Sequence, residues 1–278
     1  MFRAAPGPQE ETHVAEPLVL VRHSGSVRTL TLNRPQALNS FTAAMHGELR
    51  AALDAAAADR EVRCLVITGS GRGFCAGQDL ADPAVAPTSE GAPADVGDAI
   101  ERFYRPLVLR IRSLPMPVVA ADNGVAAGAG ANFALLCDVV VAARSASFLQ
   151  AFSKIGLIPD AGGTWLLPRL AGTARALGLA LLGDKLPAEQ AAAWGLIWRC
   201  VEDAELAPVV DALAAQLAAA PTRGLAATRL AIRGAWTETL EHALDVERDR
   251  QRELGWSRDY AEGVAAFAEK RAPRFTGA

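Results

Sequence analysis

The sequence predicts an α/β fold with a helical C-terminal region, and three observations carry that prediction. Short β-branched runs closed by glycine turns, such as Val62–Thr68 before Gly69-Ser70-Gly71, alternate with stretches of helical spacing through the first half. Beyond Gly163 the chain reads as nearly all helix. Hydrophobic residues make up 51% of the 278, enough to bury the core of one large domain. Alternation followed by helices alone is the pattern of an α/β core with a helical appendage.

Taken in order, Leu18–Arg22 and Val27–Asn33 flank a Ser24-Gly25-Ser26 turn and read as a β-hairpin. Thr42 to Arg60 reads as a helix, with the Thr42 hydroxyl placed to accept from an unpaired N–H of the first turn. Val62–Thr68 is a buried strand and residues 69–79 form a loop. Residues 81–96, rich in Pro, Ala, Asp and Gly, show no period and are expected to be mobile. Val96–Leu114 is a helix stopped by Pro115 and Pro117. Val118–Ala121 and Val139–Ala142 are strands, with a helix beginning near Gly130 between them. The expected division is a flexible leader over 1–16, the α/β core over 17–200 and the helical region over 201–278.

Composition excludes several function classes. A formal net charge of −3 and an isoelectric point near 5.9 leave no basic field to draw nucleic acid or an anionic membrane surface. No apolar run approaches the ~18 residues a membrane span needs. The first residues, MFRAAPGPQEETHVAEP, lack the apolar run of a signal peptide and the acid-poor character of a transit peptide, so a cytoplasmic location is expected. Cys64, Cys75, Cys137 and Cys200 are widely spaced with no CxxC pair, so reduced thiols are expected and a metal site is not.

Two glycine-rich segments each follow a strand. Gly71–Leu80 (GRGFCAGQDL) allows a ligand close approach to the backbone, although an ordinary turn reads the same way. Gly124–Gly130 (GVAAGAG) opens a helix, whose unpaired N–H groups suit an oxyanion. Its spacing is not the dinucleotide fingerprint, because Phe133 stands where the third glycine belongs. Asp160, in Ile158-Pro159-Asp160-Ala161-Gly162-Gly163, has two open readings: the N-cap of a short helix, or a lone acid/base beside the anion hole. His13, His23, His46 and His242 fall outside the glycine segments and no Gly-x-Ser-x-Gly elbow is present, which disfavours a nucleophilic hydrolase. Cys75, with apolar flanks and no nearby base, reads as packing; Arg144, Lys154 and Arg169 read as surface charges.

Together with Leu32–Ser40 (LNRPQALNS), these segments resemble the enoyl-CoA hydratase/isomerase (crotonase) superfamily, from about Leu18 to Ala266–Phe275 (AFAEKRAPRF). Four blocks in order, FCAGQDL, GVAAGAGA, ARSASFLQAFSKIGLIPDAGGTWLLPR and LPAEQAAAWGLIW, are most similar to the branch that isomerises the ring epoxide of phenylacetyl-CoA. The resemblance implies a crotonase-like ββα spiral whose C-terminal helices assemble a homotrimer or homohexamer. It implies an acyl-CoA substrate and no separate cofactor, CoA being part of the substrate. It implies an oxyanion hole made by the backbone N–H groups of Gln78 and Ala129. The CoA and acyl groove would include Arg34, Ala37, Leu38, Ala76, Asp79, Leu80, Gly128 and Phe152. Phe267 and Lys270 match family positions that touch the CoA nucleotide, often from an adjacent subunit, although Lys270 reads equally as a solvated helix-end lysine.

Departures from the family pattern bear on the reaction. Hydratases of the family use two glutamates, and the matching positions here are Asn132 and Phe152, neither able to transfer a proton in the required way. Asp160, where hydratases commonly carry glycine, is the remaining carboxylate, and the resemblance makes it the expected acid/base. Burial against Phe152, Ile158 and Trp165 is expected to raise its pKa. One carboxylate suits moving a proton between carbons, or assisting an epoxide rearrangement, better than activating a water. The expected activity is an acyl-CoA isomerase that takes ring-1,2-epoxyphenylacetyl-CoA to its oxepin form. The alternatives are a general 3-enoyl-CoA to 2-enoyl-CoA isomerase and, behind it, a hydratase. An RNA-binding or assembly subunit is disfavoured by the acidic charge and the retained carboxylate.

Overall fold

The computed structural model describes residues 16–86 and 94–278, and within them the chain winds through two sheets. The leader up to residue 15 and residues 87–93 of the stretch expected to be mobile lie outside the described residues. β1 (Val19–Ser24) and β2 (Val27–Leu32) form the expected antiparallel hairpin, with Ser24 opposite Val27. α1 (Ala43–Ala58) starts where the Thr42 hydroxyl accepts from the Met45 N–H at 3.2 Å. It buries Met45, His46, Leu49, Leu53 and Ala56, a stripe at helical spacing. The 81–96 stretch begins anchored rather than mobile: Asp82 is buried and accepts from the Ala43 N–H at 2.8 Å, a second cap on α1.

β3 (Cys64–Gly69) and β4 (Gly73–Cys75) follow, then α2 (Val96–Ala99), a π-helical turn over Ile100–Tyr104, and α3 (Arg105–Ser113). The chain continues through β5 (Val118–Asp122), β6 (Val125–Ala127), α4 (Ala129–Leu135), β7 (Val139–Ala143) and β8 (Ser147–Leu149). Next come α5 (Gly163–Ala171), α6 (Thr173–Leu182), β9 (Lys185–Pro187), α7 (Ala188–Ala193) and β10 (Arg199–Val201). α8 (Leu206–Ala219), α9 (Thr222–Gly234), α10 (Leu240–Gly255) and α11 (Arg258–Glu269) complete the fold.

One sheet has the order β1-β2-β3-β5-β7-β10, parallel beyond the hairpin; the other runs β4-β6-β8-β9, parallel except for β9. The pairs β3/β4, β5/β6 and β7/β8 each place one strand in the first sheet and the next in the second. Helical segments return the chain between them, which is the ββα spiral. β4, β6, β8 and β9 escape the sequence prediction because three residues are too few to display alternation. β9 and β10 likewise interrupt the run after Gly163 that was expected to be nearly all helix.

The core lies on the six-stranded sheet, where Leu30, Leu32, Leu65 and Ile67 are fully buried, each worth about 1.5–3 kcal/mol of apolar transfer. α8 packs across β3, β5 and β7. α9 is tied down by Arg229, which pairs with Asp138 at 2.8 Å and donates to the Ile111 carbonyl at 3.1 Å. Cys64, Cys75 and Cys137 are buried and all four thiols are free.

Candidate active site

β4 leads into Gly77 (φ +90°) and β6 into Gly128 (φ +52°), the residue before α4. A Cβ on Gly77 would stand 2.7 Å from the Ala127 carbonyl oxygen and 3.4 Å from the Ala129 nitrogen, so the two glycine loops touch backbone to backbone. A Cβ on Gly130 would run into the Cys75 carbonyl, so glycine there lets α4 lie directly on β4. The chain past Gly77 is gripped by Phe41. Its N–H donates to the Gly77 carbonyl at 2.7 Å, and its carbonyl accepts from the Asp79 N–H at 2.9 Å. Successive residues of extended backbone face opposite ways, so the Gln78 N–H points away from Phe41. Ala129 is the first residue of α4 and its N–H has no helical acceptor. Among the described residues neither N–H donates to a protein oxygen. Two free, neighbouring backbone donors are what a developing oxyanion requires.

One turn along α4 stands Asn132, which holds the loop that carries Asp160. Asn132, whose N–H donates to the Gly128 carbonyl at 3.1 Å, donates Nδ2 to the Asp160 carbonyl at 2.9 Å. Its Oδ1 accepts from Gln150 Nε2, also at 2.9 Å. The Asp160 carbonyl accepts a second bond from the Gly163 N–H at 2.7 Å, closing a turn through Ala161 (φ +47°) and Gly162 (φ +84°). Gly162 is the N-cap of α5 and no side chain caps that helix, which removes the capping reading of Asp160. Asp160 Oδ1 is buried without a hydrogen-bond partner among the described residues, and burial raises the carboxyl to a pKa of about 6. Such a group can hold or release a proton near neutral pH.

The surroundings expected for Asp160 need correction. Phe152 is buried beside Gly128, with its Cζ 3.5 Å from where a Cβ on that glycine would be. Ile158, however, is 76% exposed. Trp165 packs on Trp236 with ring centroids 4.8 Å apart, and the guanidinium groups of Arg112 and Arg169 lie 4.5 and 4.4 Å from its ring. The turn itself packs inward, Gly162 facing Val108 and Leu136.

Tyr104 is the residue sequence reasoning missed. It ends the π-helical turn, is 2% exposed, and donates its hydroxyl to Gln78 Oε1 at 2.7 Å. Burial first, and then the Asp160 charge, pushes its pKa up. A tyrosine inside an amphipathic helix reads as core, and no sequence signal sets it apart. His46 stacks on Phe41 and Phe103 at 5.0 and 5.5 Å and meets the Tyr104 ring edge-on at 4.5 Å. Burial depresses its pKa to about 4, so it is neutral at pH 7.

The remaining expected groove residues fall into two places. Arg34 pairs with Asp79 at 2.9 Å, donates to the Ser40 carbonyl at 2.6 Å, and holds the Asp79 carboxyl below the usual range. Ala37 lies in a short 3-10 turn, and the Leu38 carbonyl accepts from the Ala76 N–H at 2.9 Å, so residues 34–40 run beside 76–79. Leu80 is exposed at the end of that loop. Phe267 and Lys270 lie at the end of α11. Phe267 lines a cavity of about 660 Å³ with Tyr260, Val264 and Phe275, and Lys270 is its exposed C-cap at φ +55°. Among the described residues no hydrogen bond or ion pair joins either of them to the glycine loops, and no cluster of His, Cys, Asp and Glu could hold a metal.

A family model described as enoyl-CoA hydratase/isomerase matches residues 22–278. The chain is 59% identical over 251 residues to the 1,2-epoxyphenylacetyl-CoA isomerase of Escherichia coli K12, which covers 90% of this chain and 95% of that one. It is 34% identical over 259 residues to the trans-2-decenoyl-(acyl-carrier-protein) isomerase of Streptococcus mutans serotype c, covering 93% and 98%. The crystal structure of an enoyl-CoA hydratase from Bacillus anthracis, 31% identical, matches with a TM-score of 0.88 over 94% of this chain and 100% of that one.

Proposed function

This chain belongs to the enoyl-CoA hydratase/isomerase family, and on that premise we propose that it is an acyl-CoA isomerase acting on the ring 1,2-epoxide of phenylacetyl-CoA. One observation carries the reading. Of the three positions matched to the family's proton-moving residues, only Asp160 holds a carboxylate, and it is buried with Oδ1 unpartnered among the described residues and its pKa raised to about 6. Asn132 is committed to the Asp160 carbonyl and to Gln150, and Phe152 is apolar, so the water-holding pair of a hydratase is missing.

The thioester carbonyl oxygen accepts from the Gln78 and Ala129 N–H groups, each such donor contributing roughly 3–4 kcal/mol to a charged transition state. As Asp160 takes a proton next to the carbonyl, the charge that develops on the thioester oxygen is held there. In the ring epoxide, the carbon–carbon bond shared by the two rings gives way to the seven-membered oxepin. No atom leaves, and the proton returns from Asp160. The reaction is redox-neutral and needs no cofactor beyond the CoA already on the substrate. The same parts would shift a 3-enoyl-CoA to its 2-enoyl isomer by taking a proton at C2 and returning it at C4. That second reading is supported by the single carboxylate.

A homotrimer or homohexamer fits the apolar side chains left exposed on the C-terminal helices, Leu240, Trp256 and Phe267 among them. In such an assembly Phe267 and Lys270 would reach the CoA of a neighbouring site, while residues 34–40 and 76–80 line the groove of their own. A cytoplasmic location is part of the same proposal.

The test is turnover of ring-1,2-epoxyphenylacetyl-CoA, followed by mass-resolved chromatography beside an Asp160→Asn control. Isomerisation at constant mass, lost in the control, supports both substrate and residue. Inertness toward the epoxide with 3-enoyl-CoA still isomerised moves the protein to the second reading.

A further inference from the structure

Behind the first glycine loop lies a buried aromatic group that the proposed reaction leaves without a role. Phe41, His46, Phe103 and Tyr104 pack ring against ring, with Tyr104 edge-on to both Phe41 (6.0 Å) and His46 (4.5 Å). From this group Phe41 grips the backbone on either side of Gln78, and Tyr104 grips the Gln78 side chain. The Gln78 Nε2 donates in turn to the Asp79 carbonyl at 3.2 Å, so both ends of its amide are engaged.

We propose that Tyr104 is a positioning residue for the thioester site: its hydroxyl, acting through the Gln78 side chain, fixes the Gln78 peptide N–H against the acyl carbonyl. The inference rests on the acyl-CoA reading above, in which that N–H is one of two oxyanion donors. Three features separate it from plain packing. A phenylalanine would fill the same ring position without burying a hydroxyl, which is costly unless bonded. The hydroxyl is bonded at 2.7 Å to one specific side chain on the residue that carries the donor. And Tyr104 ends a five-residue π-helical turn inside an otherwise α-helical segment, a distortion that re-aims side chains and concentrates at functional sites. Without Tyr104, Gln78 would regain rotamer freedom and its peptide could tilt away from the oxyanion position.

The experiment combines Tyr104→Phe, Gln78→Leu and the double variant with a non-reacting conjugated dienoyl-CoA, whose absorption moves to longer wavelength when its carbonyl is polarised. The wild type is expected to red-shift the probe. Tyr104→Phe should reduce that shift and lower kcat about fivefold, the factor one neutral hydrogen bond typically carries, with KM changing less than twofold. Gln78→Leu, which leaves the aromatic group intact, should give the same loss, and the double variant no more than either. A wild-type shift and kcat in Tyr104→Phe, or losses that multiply in the double variant, would overturn the positioning role. Absence of any red shift in the wild type would instead overturn the oxyanion reading on which it rests.

Discussion

The two halves of the site are made of different parts of the polypeptide. In the proposed site the half that would stabilise charge is main chain, the N–H groups of Gln78 and Ala129, and what it demands of the sequence is glycine at 77, 128 and 130. The half that would move protons is side chain: Asp160 as the carboxylate, with Asn132 and Phe152 at the positions where hydratases carry glutamate. A backbone half can stay fixed while the side-chain half is exchanged, so one fold can serve several reactions on the same thioester. The Bacillus anthracis hydratase shares this fold at 31% identity, whereas the side-chain half here departs from the hydratase pattern. Fold therefore reports the backbone half, and only named side chains report the reaction.

The sharpest way to break the comparison is to remove the one carboxylate. Asp160→Asn should leave the fold intact and lower kcat by about 10²- to 10⁴-fold, the range for a general acid/base. Proton abstraction needs the ionised form, so kcat/KM of the wild type should rise with pH through about 6 and then level, while residual activity of the variant stays flat. A folded variant that keeps its turnover would remove Asp160 from the mechanism.

Attack on the backbone half should cost nearly as much by another route. Gly130→Ala places a methyl against the Cys75 carbonyl and must push α4 off β4, moving the Ala129 N–H. A loss of about 10²- to 10³-fold in kcat is expected, with a lowered Tm. Folded protein with less than a tenfold loss would mean that the hole does not depend on this contact.

The same division governs what the sequence revealed. The hairpin, α1, β3 and the helix ending before Pro115 were legible because hydrophobic period and caps are local properties. The second sheet was not, since β4, β6, β8 and β9 gain their identity only by pairing with one another. Asp160 was found because it departs from a pattern, and its capping alternative fell only when α5 proved to start at Gly163. Tyr104 stayed hidden because its meaning lies in one contact across the fold, to Gln78. Ile158 was misplaced because its apolarity suggested burial, whereas the fold leaves it on the surface.

Asn132 joins the halves, since it stands on the donor helix and holds the Asp160 carbonyl. Asn132→Ala should cost about tenfold in kcat, equivalent to about 1.4 kcal/mol, by freeing the turn rather than removing a proton carrier. Its pH midpoint should move below about 6 as the loosened carboxylate gains water. An unchanged midpoint with unchanged kcat would show that the clamp is idle.

The smallest effect concerns stability, and its sign separates the two halves once more. The Asp160 carboxyl holds its proton more tightly folded than unfolded, with a pKa of about 6 against about 3.9 in the open chain. The stability it contributes is therefore full below about pH 4 and is lost as pH rises through about 6. Asparagine loses nothing over that range, so Asp160→Asn should be more stable than the wild type above pH 6, by on the order of 1 kcal/mol after allowing for the group's partial exposure. The two should converge near pH 4, measured by denaturant titration across the range. The gain would mark Asp160 as a group kept at a cost to folding, as expected where function sets the residue. No comparable gain should be available from the backbone half, where Gly77 and Gly130 are demanded by the close approach of main chain to main chain. A wild type more stable than the Asn variant at pH 8 would mean that Asp160 is a satisfied structural carboxylate, and the proton-moving half would have to be sought elsewhere.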